Sequence, residues 1–148
     1  MSQKARVKAR NDDNGLRVLL VDDHDLFRTG LRNLLEEQGV QIVGEAANGQ
    51  DAIRCVREVA PDVVVMDLNM PGMSGVDATR EITSFAPLTR VVVLTISDQD
   101  EDVMDAIVAG ACGYLVKDSS IQELIRGITS AAVGESLESP GGGVSDNG

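Results

Sequence analysis

The 148-residue chain has no tryptophan, two phenylalanines, one tyrosine and one histidine. Its interior must therefore be aliphatic, and its surface offers few rings on which bases or sugars could stack. Positive charge is scarce too: 13 Lys and Arg stand against 24 Asp and Glu, a formal net charge of −11. Such a surface argues against broad contact with a nucleic-acid backbone. A small anion paired with a metal remains compatible with it. Cys55 and Cys112 form no CxxC or other ligand spacing; they read as buried thiols suited to a reducing cytoplasm. The apolar runs are strand-sized and fall short of the ~18 residues that suggest a membrane span. Lys4, Arg6, Lys8 and Arg10 are followed by no apolar stretch, so residues 1–15 are expected to form a flexible basic tail rather than a secretory signal.

What is present is a regular alternation of short apolar runs and longer amphipathic stretches. Residues 16–21, 40–47, 62–66, 90–94 and 114–116 read as strands. Phe27, Leu31, Leu34 and Leu35 make the first helical stripe, closed by Gly39. Ile53, Val56 and Val59 make the second, which stops before Pro61, and Val76, Thr79, Ile82 and Phe85 the third. A fourth helix is expected over residues 100–109, with Val103, Ile107 and the Met104/Val108 pair facing inward and Gly110 as its stop. Ile121, Leu124, Ile125 and Ile128 form the last stripe.

Runs such as VLLV, VVVM and VVVL are apolar on both faces, as expected of central parallel strands covered by helices on each side. The expected fold class is α/β: a doubly wound five-stranded parallel sheet, flavodoxin-like (βα)5, with strand order 2-1-3-4-5. The folded domain should span residues 16–133. Residues 134–148, rich in Gly, Ser and Pro, read as a linker-like segment.

Function enters through the strand ends. Asp22 and Asp23 close the first strand, Asp67 the third, Thr95 the fourth and Lys117 the fifth. In an open parallel sheet these ends lie on one edge, where the switch in strand order opens a crevice. Three carboxylates gathered there repel one another, each close pair by on the order of 4 kcal/mol at an effective dielectric near 20. A cation is needed among them. Oxygen ligands suit a hard ion such as Mg2+, with Mn2+ as the alternative. Asp23 and Asp67 are read as direct ligands, Asp22 as a water-mediated one, and Asn69 as the donor of a backbone carbonyl. Lys117 can pair with a carboxylate or a phosphoryl oxygen, and the Thr95 hydroxyl can donate to that same oxygen. Together they are the parts for in-line phosphoryl transfer onto Asp67.

The adjacent loop, MPGMSG at 70–75, is no phosphate-cradling GxxxxGK[ST] motif, so a nucleoside-triphosphate site has little support. In it Pro71 fixes one φ and Ser74 can cap the next helix. His24 reads as a helix cap or solvated loop residue, with tuning of the site as the other reading.

These stretches resemble the receiver domain of bacterial two-component response regulators. The resemblance rests on VLLVDDHDLFRTGL at 18–31, VGEAANGQDAI at 43–53, PDVVVMDLNMPGMSG at 61–75, VVVLTISD at 91–98 and GACGYLVKD at 110–118. The wording is similar to the NarL/FixJ-like branch, whose members carry a LuxR-type helix-turn-helix DNA-binding domain. The resemblance implies a CheY-like fold in which Asp67 takes a phosphoryl group from a sensor histidine kinase. It further implies that Thr95 turns toward that group and Tyr114 rotates inward, altering the surface of the fourth helix, last strand and last helix.

Two departures stand out. Lys117 is followed by Asp118 where many receivers have a cis proline, and Ile96 is bulkier than the small residue common after the Thr position. Asn69, Ile96 and Ser97 flank the site as tuning residues. DNA contact would belong to an output domain not contained in this chain, and residues 1–148 read as a receiver fragment of a longer regulator, with a naturally single-domain receiver as the other reading. Self-association through the last or the first helix is a further expectation.

Such a domain catalyses its own phosphorylation and slow dephosphorylation rather than turning over as a conventional enzyme. The rival readings are an aspartyl-nucleophile phosphatase, a flavodoxin-like cofactor binder and a phosphorylation-independent interaction module. Asn69 weighs against the phosphatase, because it stands two residues past Asp67 where a carboxylic acid would be wanted.

Overall fold

The computed structural model describes residues 15–97 and 99–133. The expected tail up to residue 14, the linker-like segment 134–148 and Asp98 lie outside them. Ten elements alternate: β1 (Arg17–Val21), α1 (Asp25–Glu37), β2 (Gln41–Ala46), α2 (Gly49–Val59), β3 (Val63–Asp67), α3 (Gly75–Phe85), β4 (Arg90–Thr95), α4 (Glu101–Val108), β5 (Gly113–Val116) and α5 (Ile121–Ala132). The strands form one parallel sheet in the order β2-β1-β3-β4-β5. This is the expected 2-1-3-4-5 arrangement. The chain reverses direction across the sheet at β1 and β3, which lie side by side.

The period-2 geometry of the strands divides their side chains between two cores. Leu19, Val21, Val64, Met66, Val91 and Val93 pack on one face with Val56 of α2, Ile82 of α3 and Val103 of α4. Val18, Leu20, Val63, Val65, Val92 and Leu94 pack on the other with Leu31 and Leu35 of α1 and Leu124 and Ile128 of α5. Burial on both faces explains why these strands read as unbroken apolar runs rather than alternating ones.

Helix ends follow local chemistry. Asn48, Ser74 and Ser120 each accept a backbone N–H three residues on, and Ser120 with Glu123 completes a capping box. The α2 helix ends at Val59, before Pro61, with Ala60 left-handed at φ 46°. The Arg17 guanidinium donates to the Val59 and Ala60 carbonyls at 2.8 and 2.7 Å, tying that end to β1. Gly110, at φ 120°, takes a conformation that a side chain would resist, and α4 stops just before it.

The inward face of α4 differs from the expectation. Val103 and Ala106 are buried, while Met104, Ile107 and Val108 are 67%, 38% and 79% exposed. At about 100° per residue, Met104 and Val108 point well away from the arc that Val103 and Ala106 define. A short helix seated on a small Ala buries a narrower stripe than its apolar content suggests.

Candidate functional site

All the strand ends singled out above meet at one edge of the sheet, and backbone hydrogen bonds hold them there. Asp22 N–H donates to the Ala46 carbonyl at 3.0 Å, Leu68 N–H to Leu94 at 2.9 Å and Lys117 N–H to Thr95 at 2.8 Å. Each bond ties the segment leaving one strand to its neighbour. Arg28 of α1 braces the acid pair from outside: its guanidinium donates to the Asp22 carbonyl, to Glu45 at 2.8 Å and to Asp25 at 2.8 Å. The Glu45 and Asp25 contacts hold Arg28 charged, above its ordinary pKa.

Asp67 is fully buried at the end of β3. Its Oδ1 accepts the Asn69 N–H at 3.0 Å, and its Oδ2 lies 3.5 Å from Lys117 Nζ. Asp22, also buried, accepts the His24 N–H on Oδ1 at 2.8 Å and has Lys117 Nζ 2.8 Å from Oδ2. That last contact is an ion pair by distance, without the alignment of a hydrogen bond. The Lys117 ammonium also sits over the Phe27 ring, 4.8 Å from its centroid. Burial raises the Asp67 carboxyl above its ordinary range; Asp22 and Asp23 push the same way, and the Asn69 N–H and Lys117 oppose them.

One ammonium among three carboxylates leaves negative charge uncompensated. Asp22 Oδ2, Asp23 Oδ1 and Asp67 Oδ2 are buried and receive no hydrogen bond. Ligand atoms of Asp22, Asp23, His24 and Asp67 all lie within 4.8 Å of one another. Converging, electron-rich atoms short of donors are what a divalent metal needs, and the site's chemistry fits one.

The remaining predicted residues take definite places. Thr95 is buried, and its hydroxyl donates to the Ser97 carbonyl at 3.0 Å, with Asp100 Oδ2 at 3.4 Å, rather than toward Asp67. Asp100 uses its other oxygen to cap α4. Tyr114 is half-buried on the same sheet face as Val93, beside which it is registered. Asn69 and Ser97 are exposed, and Ile96 is 64% exposed at the rim. No cis peptide occurs among the described residues, so the Lys117–Asp118 bond is trans.

His24 occupies the N-cap position of α1 without capping it. Its ring turns to the acids instead, with Nδ1 3.3 Å from Asp22 and 3.5 Å from Asp23. Sequence reasoning passed over Arg28, and it offered Gly75 as a residue that permits tight backbone without showing what it meets. The only local sign of the first was its i,i+3 spacing from Asp25. At Gly75 a methyl group would sit 2.5 Å from the Asp67 carbonyl oxygen and 2.9 Å from Leu68 Cα, so α3 presses directly on the backbone that presents Asp67.

Comparison with known proteins agrees with this geometry. Residues 18–129 match the family model described as the response regulator receiver domain. Response regulator GacA of Pseudomonas aeruginosa is 40% identical over 126 residues, 84% of this chain and 59% of GacA. The nitrate/nitrite response regulator protein NarL of Escherichia coli is 39% identical over 119 residues, 80% of this chain and 55% of NarL. This chain thus spans less than two thirds of the length of either relative. The crystal structure of a LuxR-family two-component response regulator from Aurantimonas sp. superposes with a TM-score of 0.81 at 39% identity, covering 86% of this chain and 91% of that one. The chain belongs to the response regulator receiver-domain family of two-component signal transduction.

Proposed function

We propose that Asp67 is the phosphoryl acceptor of this receiver domain, charged by a sensor histidine kinase in the cytoplasm with Mg2+ bound among Asp22, Asp23, Asp67 and the Asn69 carbonyl. The observation that carries this reading is the fully buried Asp67, with one oxygen held by the Asn69 N–H and the other receiving no hydrogen bond. Mn2+ would serve in the same place. When bound, the ion would offset the negative charge on the acids and on the incoming phosphoryl oxygens.

The residues of the chain then divide the work. The Asn69 amide fixes one Asp67 oxygen, so the other is the one aimed at phosphorus. Attack forms the O–P bond as the N–P bond of a phosphohistidine breaks, and the departing imidazole takes a proton. Lys117, already within 3.5 Å of Asp67, moves its charge to a phosphoryl oxygen. Thr95 exchanges its bond to the Ser97 carbonyl for one to the same group. Its departure frees space on the sheet face that Tyr114 shares, and the rotation of that ring carries the change to α4, β5 and α5. Control of DNA binding would reside in an output domain outside residues 1–148, with residues 16–133 acting as the switch.

Incubation with acetyl phosphate and Mg2+, followed by intact-mass measurement, tests the assignment. Wild type should gain one phosphoryl group and Asp67→Ala none. Equal labelling of the two proteins would defeat it.

A further inference from the structure

We propose that His24 is a nitrogen ligand at this site, and that it shifts the site's preference from Mg2+ toward Mn2+ and the later transition-metal ions. The inference rests on the reading above, in which Asp22, Asp23 and Asp67 hold a divalent cation.

The first observation is orientation. His24 stands where Ser, Thr, Asp or Asn would cap α1, yet its side chain makes no capping bond. The ring is 63% exposed but leans over the acid pair, with Nδ1 at 3.3 Å from Asp22 Oδ1 and 3.5 Å from Asp23 Oδ1. Lys117 Nζ lies 3.5 Å from the same nitrogen. In the tautomer that carries its proton on Nε2, Nδ1 offers a lone pair to that ammonium and would offer the same lone pair to a metal ion.

The second observation is spacing. In an octahedron with bonds of about 2.1 Å, neighbouring ligand atoms are about 3.0 Å apart and opposite ones about 4.2 Å. The His24 distances to Asp22 and Asp23 are close to octahedral edges, and the whole set spans no more than 4.8 Å. Small rotations of an exposed ring close the difference.

The third is the state of the acids: Asp22, Asp23 and Asp67 each keep a buried oxygen without a hydrogen bond, and a ligand atom of each lies within 4.8 Å of one on His24. Imidazole contributes little to a magnesium site, which favours oxygen and water; among the transition ions its contribution is smallest at Mn2+ and grows through Co2+ to Zn2+. His24 therefore sets which ion the site holds.

The chain contains one histidine, which makes the test direct. Tag-free protein is titrated with Mn2+, and free Mn2+ is counted by electron paramagnetic resonance. The bound ion is examined for 14N spin-echo modulation from a coordinated imidazole, and Mg2+ is added as a competitor. Wild type should show imidazole modulation that His24→Asn and Asp23→Ala both lack. His24→Asn should weaken Mn2+ about tenfold while changing the Mg2+ competition constant by less than about twofold. Bound Mn2+ without imidazole modulation in wild type overturns the His24 assignment and leaves the carboxylate site standing. Modulation that survives Asp23→Ala, or an equal loss of both ions in His24→Asn, overturns the His24 assignment as well. Absence of any saturable Mn2+ binding overturns the ion site and the His24 role together. His24 lies at the surface, and equal metal-free melting of wild type and His24→Asn controls for folding.

Discussion

Strand β3 is bracketed by two aspartates of opposite fate. Asp62, just before it, accepts the Arg17 backbone N–H at 3.0 Å, while its own N–H and carbonyl join β1 and β4 through Arg17 and Arg90. It serves as a splice for three strands. Asp67, at the other end, is completely buried yet keeps an oxygen that accepts no hydrogen bond, with two further acids close by. The difference lies in who supplies the donors. At the first end one backbone N–H and the solvent that reaches half-buried Asp62 supply them; at the second, sealed from solvent, the protein supplies one amide and one ammonium, leaving the rest for a guest. A carboxylate whose hydrogen bonding is complete stabilises the fold, whereas one left incomplete costs stability and is available for chemistry.

That contrast can be broken most severely at Asp67. Asp67→Ala should abolish labelling by acetyl phosphate, whereas Asp62→Ala should label at the wild-type rate and melt earlier, by about 1 kcal/mol for the lost hydrogen bond. Intact mass and thermal melting read the two effects separately. Loss of labelling in Asp62→Ala would erase the distinction.

Next comes Lys117→Ala. Removing the ammonium that lies nearest Asp22 and Asp67 should slow labelling by on the order of a hundredfold or more, by analogy with the loss of one charge-stabilising donor. Stopped-time mass measurements with a fixed phosphodonor concentration would show it. Labelling within twofold of wild type would remove Lys117 from the reaction.

Gly75→Ala should destabilise the domain by about 1–3 kcal/mol, because the added methyl meets the Asp67 carbonyl and Leu68 Cα and neither can yield cheaply. Denaturant melting measures the loss, and slower labelling should accompany it as Asp67 shifts.

The smallest effect concerns pH in the absence of metal. The Asp67 pKa in the folded protein lies above its ordinary 3.8, chiefly through burial. The folded state therefore keeps its proton longer than the unfolded chain. The resulting stability is complete below pH 3.8 and is lost as pH rises through the folded value. In EDTA at neutral pH, Asp67→Asn should accordingly melt a few degrees above wild type, the scale of about 1 kcal/mol in a domain of this size. The gain should narrow as pH falls through the raised value and shrink when Mg2+ is restored to wild type. A variant that melts lower at neutral pH without metal would show the buried charge to be satisfied after all.

Much of this site was legible in the order of residues along the chain. Asp22, Asp23, Asp67, Thr95 and Lys117 each follow an apolar run, and parallel strands separated by helices must bring such positions to one edge. The Arg28 brace was not legible, because it depends on α1 lying against the end of β2, where Glu45 is found. Nor was the direction of the Thr95 hydroxyl, set by the turn that brings the Ser97 carbonyl and Asp100 to it. The inward turn assigned to Met104 and Val108 failed for a related reason. Periodicity places residues on a common stripe, but only the seating of the helix on the sheet decides which arc is covered.

By itself the sequence determined the layered α/β architecture and the gathering of acids, hydroxyl and ammonium at one sheet edge, and it favoured the strand order without fixing it. Side-chain period and the shared direction of parallel strands are properties of the covalent chain and need no further information. Tertiary structure alone decided which oxygens go without donors and where His24 leans. Hydrogen bonding changes over a few tenths of an ångström, and those distances are set by the packing of segments far apart in the chain.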